Sequence, residues 1–183
     1  MLNIDNVLIK AASDGDMASF EEIYKVTSGF VYNVALRITN NVKDAEEVTQ
    51  DVFVKVYNNI KRFEFRSSFT TWLYRIAVNT ALNFKKSISR NKYGRVDYET
   101  VSNIKAAKQE GNIESEDEVK FLLNKLSPEH RVCVVLRDIE GLSYKEISDV
   151  LKININTVRS RLNRARDILM KYARKEVVEN EMR

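Results

Sequence analysis

Residues 141–162 read GLSYKEISDVLKININTVRSRL, and this stretch decides the fold of the second half of the chain. Ser143, followed three residues later by Glu146, forms a capping box that predicts the start of a helix. Apolar residues at helical spacing follow, and Asn154 is a suitable N-cap for a second helix. Two short helices joined by a tight turn, the second of them basic, predict a helix-turn-helix.

The second helix of this pair has a polar face suited to DNA. Apolar residues from Val158 to Leu169 recur at helical spacing, so the opposite face is left to solvent. A basic helix is often only a solvated surface, but its place as the second of a correctly spaced pair favours DNA contact. Base contacts are expected near its N-terminus, and phosphate contacts can come from any of its arginines. The predicted duplex-binding residues are Asn156, Thr157, Arg159, Ser160, Arg161, Asn163 and Arg164.

A second basic stretch, KRFEFRSSFTTWLYRIAVNT at 61–80, interleaves cations with aromatic rings. Single-stranded nucleic acid needs both, because rings stack on bases and cations follow the backbone. The apolar residues at helical spacing are assigned to the core instead, namely Phe69, Trp72, Leu73 and Ile76. The preceding loop and the polar helix face remain as predicted single-strand contacts, namely Lys61, Arg62, Phe63, Phe65, Arg66, Ser67, Arg75, Asn79 and Lys86.

The net charge of +4 is unevenly distributed along the chain. Residues 1–57 sum to −4, 58–95 to +8, 96–140 to −4 and 141–183 to +4. Two separate positive blocks indicate two contacts with a polyanion, and the acidic blocks indicate at least one basic partner. The block at 96–140 has no obvious partner.

Within the first block, Asp44 and Glu47 form another capping box, which predicts a helix starting at Asp44. The helix has an apolar stripe on one side and acidic or amide residues on the others.

Composition favours an all-α fold. The chain is 44% hydrophobic and 31% charged, which is typical of a globular protein, and it has only 5 glycines and 1 proline among 183 residues. Sheet-rich folds need more of the tight turns that these residues form. Helical periodicity is lost over residues 89–118. We therefore expect two small helical domains, at 1–88 and 119–183, joined by a flexible linker at 89–118.

The residue inventory argues against an enzyme. His130 and Cys133 are the only histidine and the only cysteine, so a metal site rich in nitrogen and sulfur ligands cannot form. The glycines are scattered singly and form no phosphate-binding loop. We expect no metal, no cofactor and no small-molecule substrate. Cys133 lies in an apolar run and is predicted to be a core residue in a reducing compartment. Without a signal-like N-terminus or a membrane span, a cytoplasmic protein with no direct membrane insertion is expected.

These motifs together resemble the extracytoplasmic-function (ECF) group of bacterial RNA polymerase sigma factors. The resemblance covers nearly the whole chain and rests on GD…FEEIY at 15–24, DAEEVTQDVF at 44–53, FTTWLYRIAVN at 69–79, LSPE at 126–129 and TVRSR at 157–161. It implies a non-enzymatic factor made of a region 2 domain, a linker and a region 4 domain. Core RNA polymerase and promoter DNA are the implied partners, together with an anti-sigma factor.

The resemblance also implies roles for matched positions. The acidic helix would dock on the basic coiled coil of the polymerase clamp through Asp44, Glu46, Glu47, Gln50 and Asp51. Residues 58–68 would form the loop that captures a flipped base of the −10 non-template strand, with Arg75, Asn79 and Lys86 beside it. The helix-turn-helix would bind the −35 duplex. Lys152 and Asn156 depart from the family, which commonly has glycine there.

Two other classes compete with this interpretation. A non-sigma helix-turn-helix regulator would explain the second domain, but it leaves the aromatic and basic loop near Phe63 unexplained and predicts a dimer on a palindrome. A helical enzyme would need a catalytic constellation, and no spacing of residues indicates one.

Overall fold

A computed structural model describes residues 4–94 and 113–181, with side chains described at 4–90 and 118–172. The described part of the chain is helical and contains no strand. Its helices are α1 (Asn6–Ser13), α2 (Met17–Thr39), α3 (Val42–Asn59), α4 (Phe69–Gly94), α5 (Ile113–Asn124), α6 (Pro128–Val134), α7 (Tyr144–Leu151) and α8 (Ile155–Glu181). A 3₁₀ turn spans Ile60–Arg62, and a π turn spans Val135–Ile139.

Helices α1–α4 form the amino-terminal unit. α2, α3 and α4 pack against one another in a three-helix arrangement, and α1 lies along α2. The apolar stripe that the sequence predicted for α3 is buried, with Val48, Val52 and Val56 all fully inaccessible to solvent. This packing leaves the opposite, acidic side of α3 exposed.

Helices α5–α8 and the π turn form the carboxy-terminal unit. α8 packs on α6 and α7, and Ile147, Val158 and Leu162 are buried between them. Ser127 caps α6 with Pro128 at its first position, as predicted. Cys133 is fully buried, which confirms its predicted place in the core. Burial raises the pKa of its thiol because the thiolate would be desolvated.

The start of α3 differs from the predicted capping box. Asn41, and not Asp44, is the N-cap, since its side-chain oxygen accepts a hydrogen bond from the Asp44 backbone N–H at 3.0 Å. Asn40 ends α2 in the left-handed conformation, with φ at 57°, so only one residue separates it from α3. Asp44 is therefore in the first turn of α3, where the helix dipole stabilises its negative charge.

The ends of the predicted linker are also helical. α4 continues to Gly94 and α5 begins at Ile113, while residues 95–112 lie outside the described part of the chain. Extending a nucleated helix costs little, so α4 can continue beyond its buried part. The acidic run ESEDE at 114–118 favours a helix start, because negative charges are stabilised by the dipole near the N-terminus of a helix.

Candidate nucleic-acid interface

Both helices of the helix-turn-helix, α7 and α8, begin with the predicted caps. Ser143 and Glu146 cap α7 reciprocally: the Ser143 hydroxyl accepts from the Glu146 N–H, and the Glu146 carboxylate accepts from the Ser143 N–H. The Asn154 side chain accepts from the Asn156 N–H at 2.8 Å. The helix-turn-helix is thus fixed by local hydrogen bonds as well as by its core.

Lys152 is the strained residue of this turn. It ends α7 in the left-handed conformation with φ at 52°, which an L side chain rarely adopts without cost. Asn156, the other position where the family commonly has glycine, is instead an ordinary residue in the first turn of α8. Lysine at position 152 therefore strains the backbone of the turn, whereas asparagine at position 156 does not.

Lys152→Gly should raise the free energy of unfolding by about 0.5–1 kcal/mol, because glycine adopts this backbone without the steric penalty. Urea unfolding followed by circular dichroism measures the change. Lys171→Gly is the matched control: Lys171 is exposed inside α8, and glycine there should destabilise by about 1 kcal/mol. Equal effects of the two substitutions would contradict the assignment of strain to Lys152.

Most of the predicted duplex-binding residues lie on the outer face of α8. Asn156, Arg159, Ser160, Asn163 and Arg164 are exposed. Thr157 and Arg161 are half-buried, and Arg161 lies near the Cys133 thiol, whose pKa it lowers slightly against the larger effect of burial. The exposed residues can enter a groove as they stand.

Arg166 lies elsewhere on α8. Its Nη2 donates to the Asp138 carboxylate of the π turn at 2.9 Å, and this hydrogen bond raises the pKa of the guanidinium. Arg166 is thus already paired within the protein. It is a useful contrast to Arg164, two residues earlier on the same helix.

The amino-terminal unit has an open groove of about 440 Å³ between α3 and α4. It is lined by Lys55, Asn59, Arg62, Trp72, Arg75, Ile76, Asn79, Thr80 and Asn83. The lining includes one aromatic ring, several side-chain amides and three basic residues. Arg75, which lines the groove, has a buried Nε without a hydrogen-bond partner in the described part of the chain.

The groove contains residues that the sequence analysis missed or placed elsewhere. Lys55 was not singled out, whereas Asn59 falls in the predicted base-capture loop at 58–68 and lies at the end of α3. Lys55 Nζ donates to Thr80 Oγ1 at 3.0 Å. Trp72 and Ile76 were assigned to the core, but each is only partly buried, and one side of each faces the groove. Helical spacing alone cannot distinguish a core ring from a ring that lines a cavity.

The two phenylalanines of the loop between α3 and α4 differ in solvent exposure. Phe63 is 8% exposed and packs against the rings of Phe69 and Trp72, so it anchors the loop and does not present its ring to solvent. Phe65 is 46% exposed in a left-handed conformation with φ at 53°. Their ring centroids are 4.8 Å apart, so the buried ring supports the exposed one.

The other residues predicted for single-strand binding do not form one cluster, since some line the groove and others lie outside it. Arg62, Arg75 and Asn79 line it. Lys61 instead borders a smaller cavity of about 280 Å³ next to α1 and α2. Arg66 is exposed and paired with Glu64 at 2.8 Å, Ser67 is half-buried, and Lys86 is exposed further along α4.

The acidic face of α3 lies on the surface as predicted. Glu46, Glu47, Gln50 and Asp51 are exposed, and Asp44 is half-buried. Among the described residues, none of these carboxylates takes part in an ion pair. Val54, which the sequence analysis did not single out, is 58% exposed one turn further along this face. The surface thus combines unpaired acids with an exposed apolar side chain.

Over residues 4–94 and 113–181, no helix has the length and apolar character needed to cross a bilayer. In the same ranges, no group of three or more histidine, cysteine or acidic residues is arranged to hold a metal ion.

Comparisons with known families match both units. A model described as Sigma-70 region 2 matches residues 23–91, and one described as Sigma-70, region 4 matches residues 116–169. The chain is 30% identical over 178 residues to the ECF RNA polymerase sigma-E factor of Escherichia coli (strain K12), covering 90% of this chain and 92% of that protein. It is 29% identical over 177 residues to the ECF RNA polymerase sigma factor SigW of Bacillus subtilis (strain 168), covering 91% and 95%.

Other similarities are partial or concern the fold. The ECF RNA polymerase sigma factor SigE of Mycolicibacterium smegmatis is 34% identical over 165 residues, and the chain spans 63% of its length. The structure of CnrH in complex with the cytosolic domain of CnrY superposes with a TM-score of 0.70 at 22% identity, over 93% of this chain and 97% of that one. The sigma factor RpoE of Bartonella quintana, in complex with the anti-sigma factor NepR, gives a TM-score of 0.67 at 24% identity, over 85% and 96%.

Proposed function

The chain belongs to the extracytoplasmic-function group of RNA polymerase sigma factors, and we propose that three separate surfaces divide its work. As a sigma factor it directs promoter-specific initiation of transcription and is not an enzyme. The proposed division gives the −10 strand to the α3–α4 groove, the −35 duplex to α8 and the polymerase to the acidic face of α3. A regulator with a helix-turn-helix alone would have no use for the first and third surfaces.

The proposed domain organisation follows the same division. Residues 1–88 act as the region 2 domain, residues 119–183 as the region 4 domain, and the segment at 89–118 connects them. Each domain then contributes one DNA contact of a different kind.

The observation that carries the −10 assignment is the groove itself, which brings Trp72, Arg75 and Asn79 together in one cavity. A base removed from the stack loses its pairing and stacking, which costs a few kcal/mol that contacts in a pocket must offset. The groove is lined by Arg75, the exposed amide of Asn79 and the partly exposed ring of Trp72. Phe65 on the neighbouring loop offers a second ring to an adjacent base.

The −35 assignment uses the exposed face of α8. Asn156, Thr157, Arg159 and Ser160 are near its N-terminus, where recognition helices contact base edges. Arg161, Asn163 and Arg164 follow and can reach bases or phosphates.

The polymerase assignment uses the acidic face of α3. Asp44, Glu46, Glu47, Gln50 and Asp51 face outwards or lie half-buried on α3, and the exposed Val54 follows them on the same helix. The resemblance implies a basic coiled coil as the partner, and unpaired carboxylates suit such a surface. Val54 would supply the apolar centre that stable interfaces need.

An anti-sigma factor is a further proposed partner. RpoE of Bartonella quintana is found in complex with the anti-sigma factor NepR, and we propose that a similar inhibitor holds this chain inactive. Since polymerase and promoter lie in the cytoplasm, we also propose that the protein works there.

Transcription in vitro tests the proposed function. Core polymerase is mixed with the protein and a library of templates randomised at the −35 and −10 positions, and the transcripts are sequenced. The combination should initiate from templates that share two sequence motifs, and neither component alone should do so. Binding of promoter DNA without initiation would refute the proposal.

Asn79→Ala should weaken binding of the selected −10 non-template strand by roughly three- to tenfold, since one hydrogen bond to a base is lost. Fluorescence anisotropy with a labelled oligonucleotide measures the change. Asn33→Ala is the matched control, because Asn33 is an exposed asparagine on α2 that does not line the groove. The groove would be the wrong site if both substitutions weakened binding equally.

A further inference from the structure

The two units are joined by a buried carboxylate. Glu140 follows the π turn in the carboxy-terminal unit, and its side chain is only 13% exposed. Its Oε1 accepts from Arg37 Nη1 on α2 at 2.8 Å, and its Oε2 accepts from the Tyr74 hydroxyl on α4 at 2.9 Å. Each carboxylate oxygen is therefore held by a different helix of the other unit.

Tyr74 is well placed for this contact. It is 3% exposed, and its ring packs edge to face on Phe30 with the centroids 4.5 Å apart. Burial, and then the Glu140 charge, raise the pKa of its hydroxyl, which stays protonated and donates to the carboxylate.

Arg131 makes a second link between the units. It is 8% exposed, and its Nε and Nη2 donate to the carbonyls of Leu123 and Leu126 within the carboxy-terminal unit. Its Nη1 donates at 3.2 Å to the Ile38 carbonyl in the last turn of α2. The last four carbonyls of a helix lack partners within it, so they can accept hydrogen bonds from Arg131. The helix dipole also stabilises a positive charge at this end of α2.

The contact between the units involves α4, which lines the proposed −10 groove, and α7, which precedes the proposed −35 helix α8. α7, the first helix of the helix-turn-helix, packs against α4. Tyr74 on α4 directly precedes Arg75, which lines the groove. Neither site is covered, because the groove is open and the outer face of α8 is exposed.

The joined arrangement is too small to contact both promoter elements together. Elements centred 25 base pairs apart are separated by roughly 85 Å along straight duplex, since ten base pairs span about 34 Å. A compact protein of this length has a radius of gyration of roughly 16 Å. The units must therefore separate before both elements can be bound.

We propose that Arg37, Tyr74 and Glu140 form a latch that holds the two units in a closed state able to bind either promoter element but not both. This rests on the proposed division of DNA contacts. Opening exposes Glu140 and frees the units to occupy their separate elements when the polymerase is engaged. The latch also gives the acidic block at 96–140 one internal basic partner, Arg37.

Distance measurement between spin labels tests the latch. Glu22→Cys on α2 and Asp167→Cys on α8 place labels on exposed positions of the two units, while the native Cys133 is buried. The otherwise unchanged protein should give one narrow distance distribution. Adding Glu140→Ala leaves Arg37 and the Tyr74 hydroxyl unpaired and should raise the ratio of open to closed molecules roughly tenfold or more.

Three further measurements keep the test decisive. Tyr74→Phe keeps the ring and removes one hydrogen bond, so it should open the protein to a smaller extent than Glu140→Ala. It also provides the test of the latch if Glu140→Ala fails to fold. Glu129→Gln, an exposed glutamate on α6, should leave the distances unchanged. Affinity for an isolated −35 duplex should stay within about twofold in Glu140→Ala, because α8 is uncovered in both states.

The outcomes separate the latch from the proposed function. A broad distribution before any latch substitution, or unchanged distances in both Glu140→Ala and Tyr74→Phe, would overturn the latch. A protein that opens as expected but directs no transcription from the template library would retain the latch and refute the proposed function.

Discussion

Asp51→Lys should weaken association with core RNA polymerase roughly a hundredfold, while an isolated −35 duplex is bound as before. Asp51 is exposed on α3 and makes no ion pair among the described residues, so reversing its charge disturbs little in the free protein. A lysine facing the proposed basic coiled coil replaces attraction with repulsion, and like charges brought together at an interface cost several kcal/mol.

Titration of labelled core polymerase with the protein measures this effect at two salt concentrations. The loss should shrink as salt rises, because exposed charges are screened. Asp14→Lys provides a matched charge reversal on the same unit but away from α3, where Asp14 is exposed at the end of α1. If Asp14→Lys had the same effect, net charge and not the face of α3 would account for binding.

Local chemistry was predicted well where neighbouring residues determine it. The capping box at Ser143 and Glu146, the Ser127 cap and the Asn154 cap all follow from hydrogen bonds within three residues. The family and the all-α class were also predicted correctly, because helical periodicity and short motifs are present in both units.

The capping box proposed at Asp44 failed for a physical reason. Asn41 caps the helix one turn earlier by accepting from the Asp44 N–H, and it does so where Asn40 reverses the chain just before it. The sequence contains two acceptable caps three residues apart, and the left-handed turn selects between them.

Contacts between distant helices could not be predicted from spacing. Lys55 and Asn59 reach the groove only because α3 packs on α4, and Phe63 differs from Phe65 only because the loop turns one ring towards Phe69. Glu140 had no assigned partner for the same reason, since Arg37 lies 103 residues away. Periodicity identifies which side of a helix is apolar, but not which helix covers it.

Arg164→Ala should weaken binding of the selected −35 duplex by about 1–3 kcal/mol if the guanidinium contacts a base. Arg164 is exposed on the outer face of α8, so its loss costs the free protein little. A phosphate contact would instead weaken binding of all sequences alike and reduce the slope of log affinity against log salt by about one. Binding to the selected duplex and to a scrambled duplex at several salt concentrations distinguishes the two roles.

Arg166→Ala removes the same charge from the same helix and is the strongest control for this prediction. Arg166 is paired with Asp138 at 2.9 Å and is not among the residues assigned to the DNA, so its replacement should alter affinity by much less than that of Arg164. Equal losses would mean that DNA responds to the total charge of α8 and not to one face. A large loss at Arg164 alone would mean that α8 meets the duplex through the face that its packing on α6 and α7 leaves exposed.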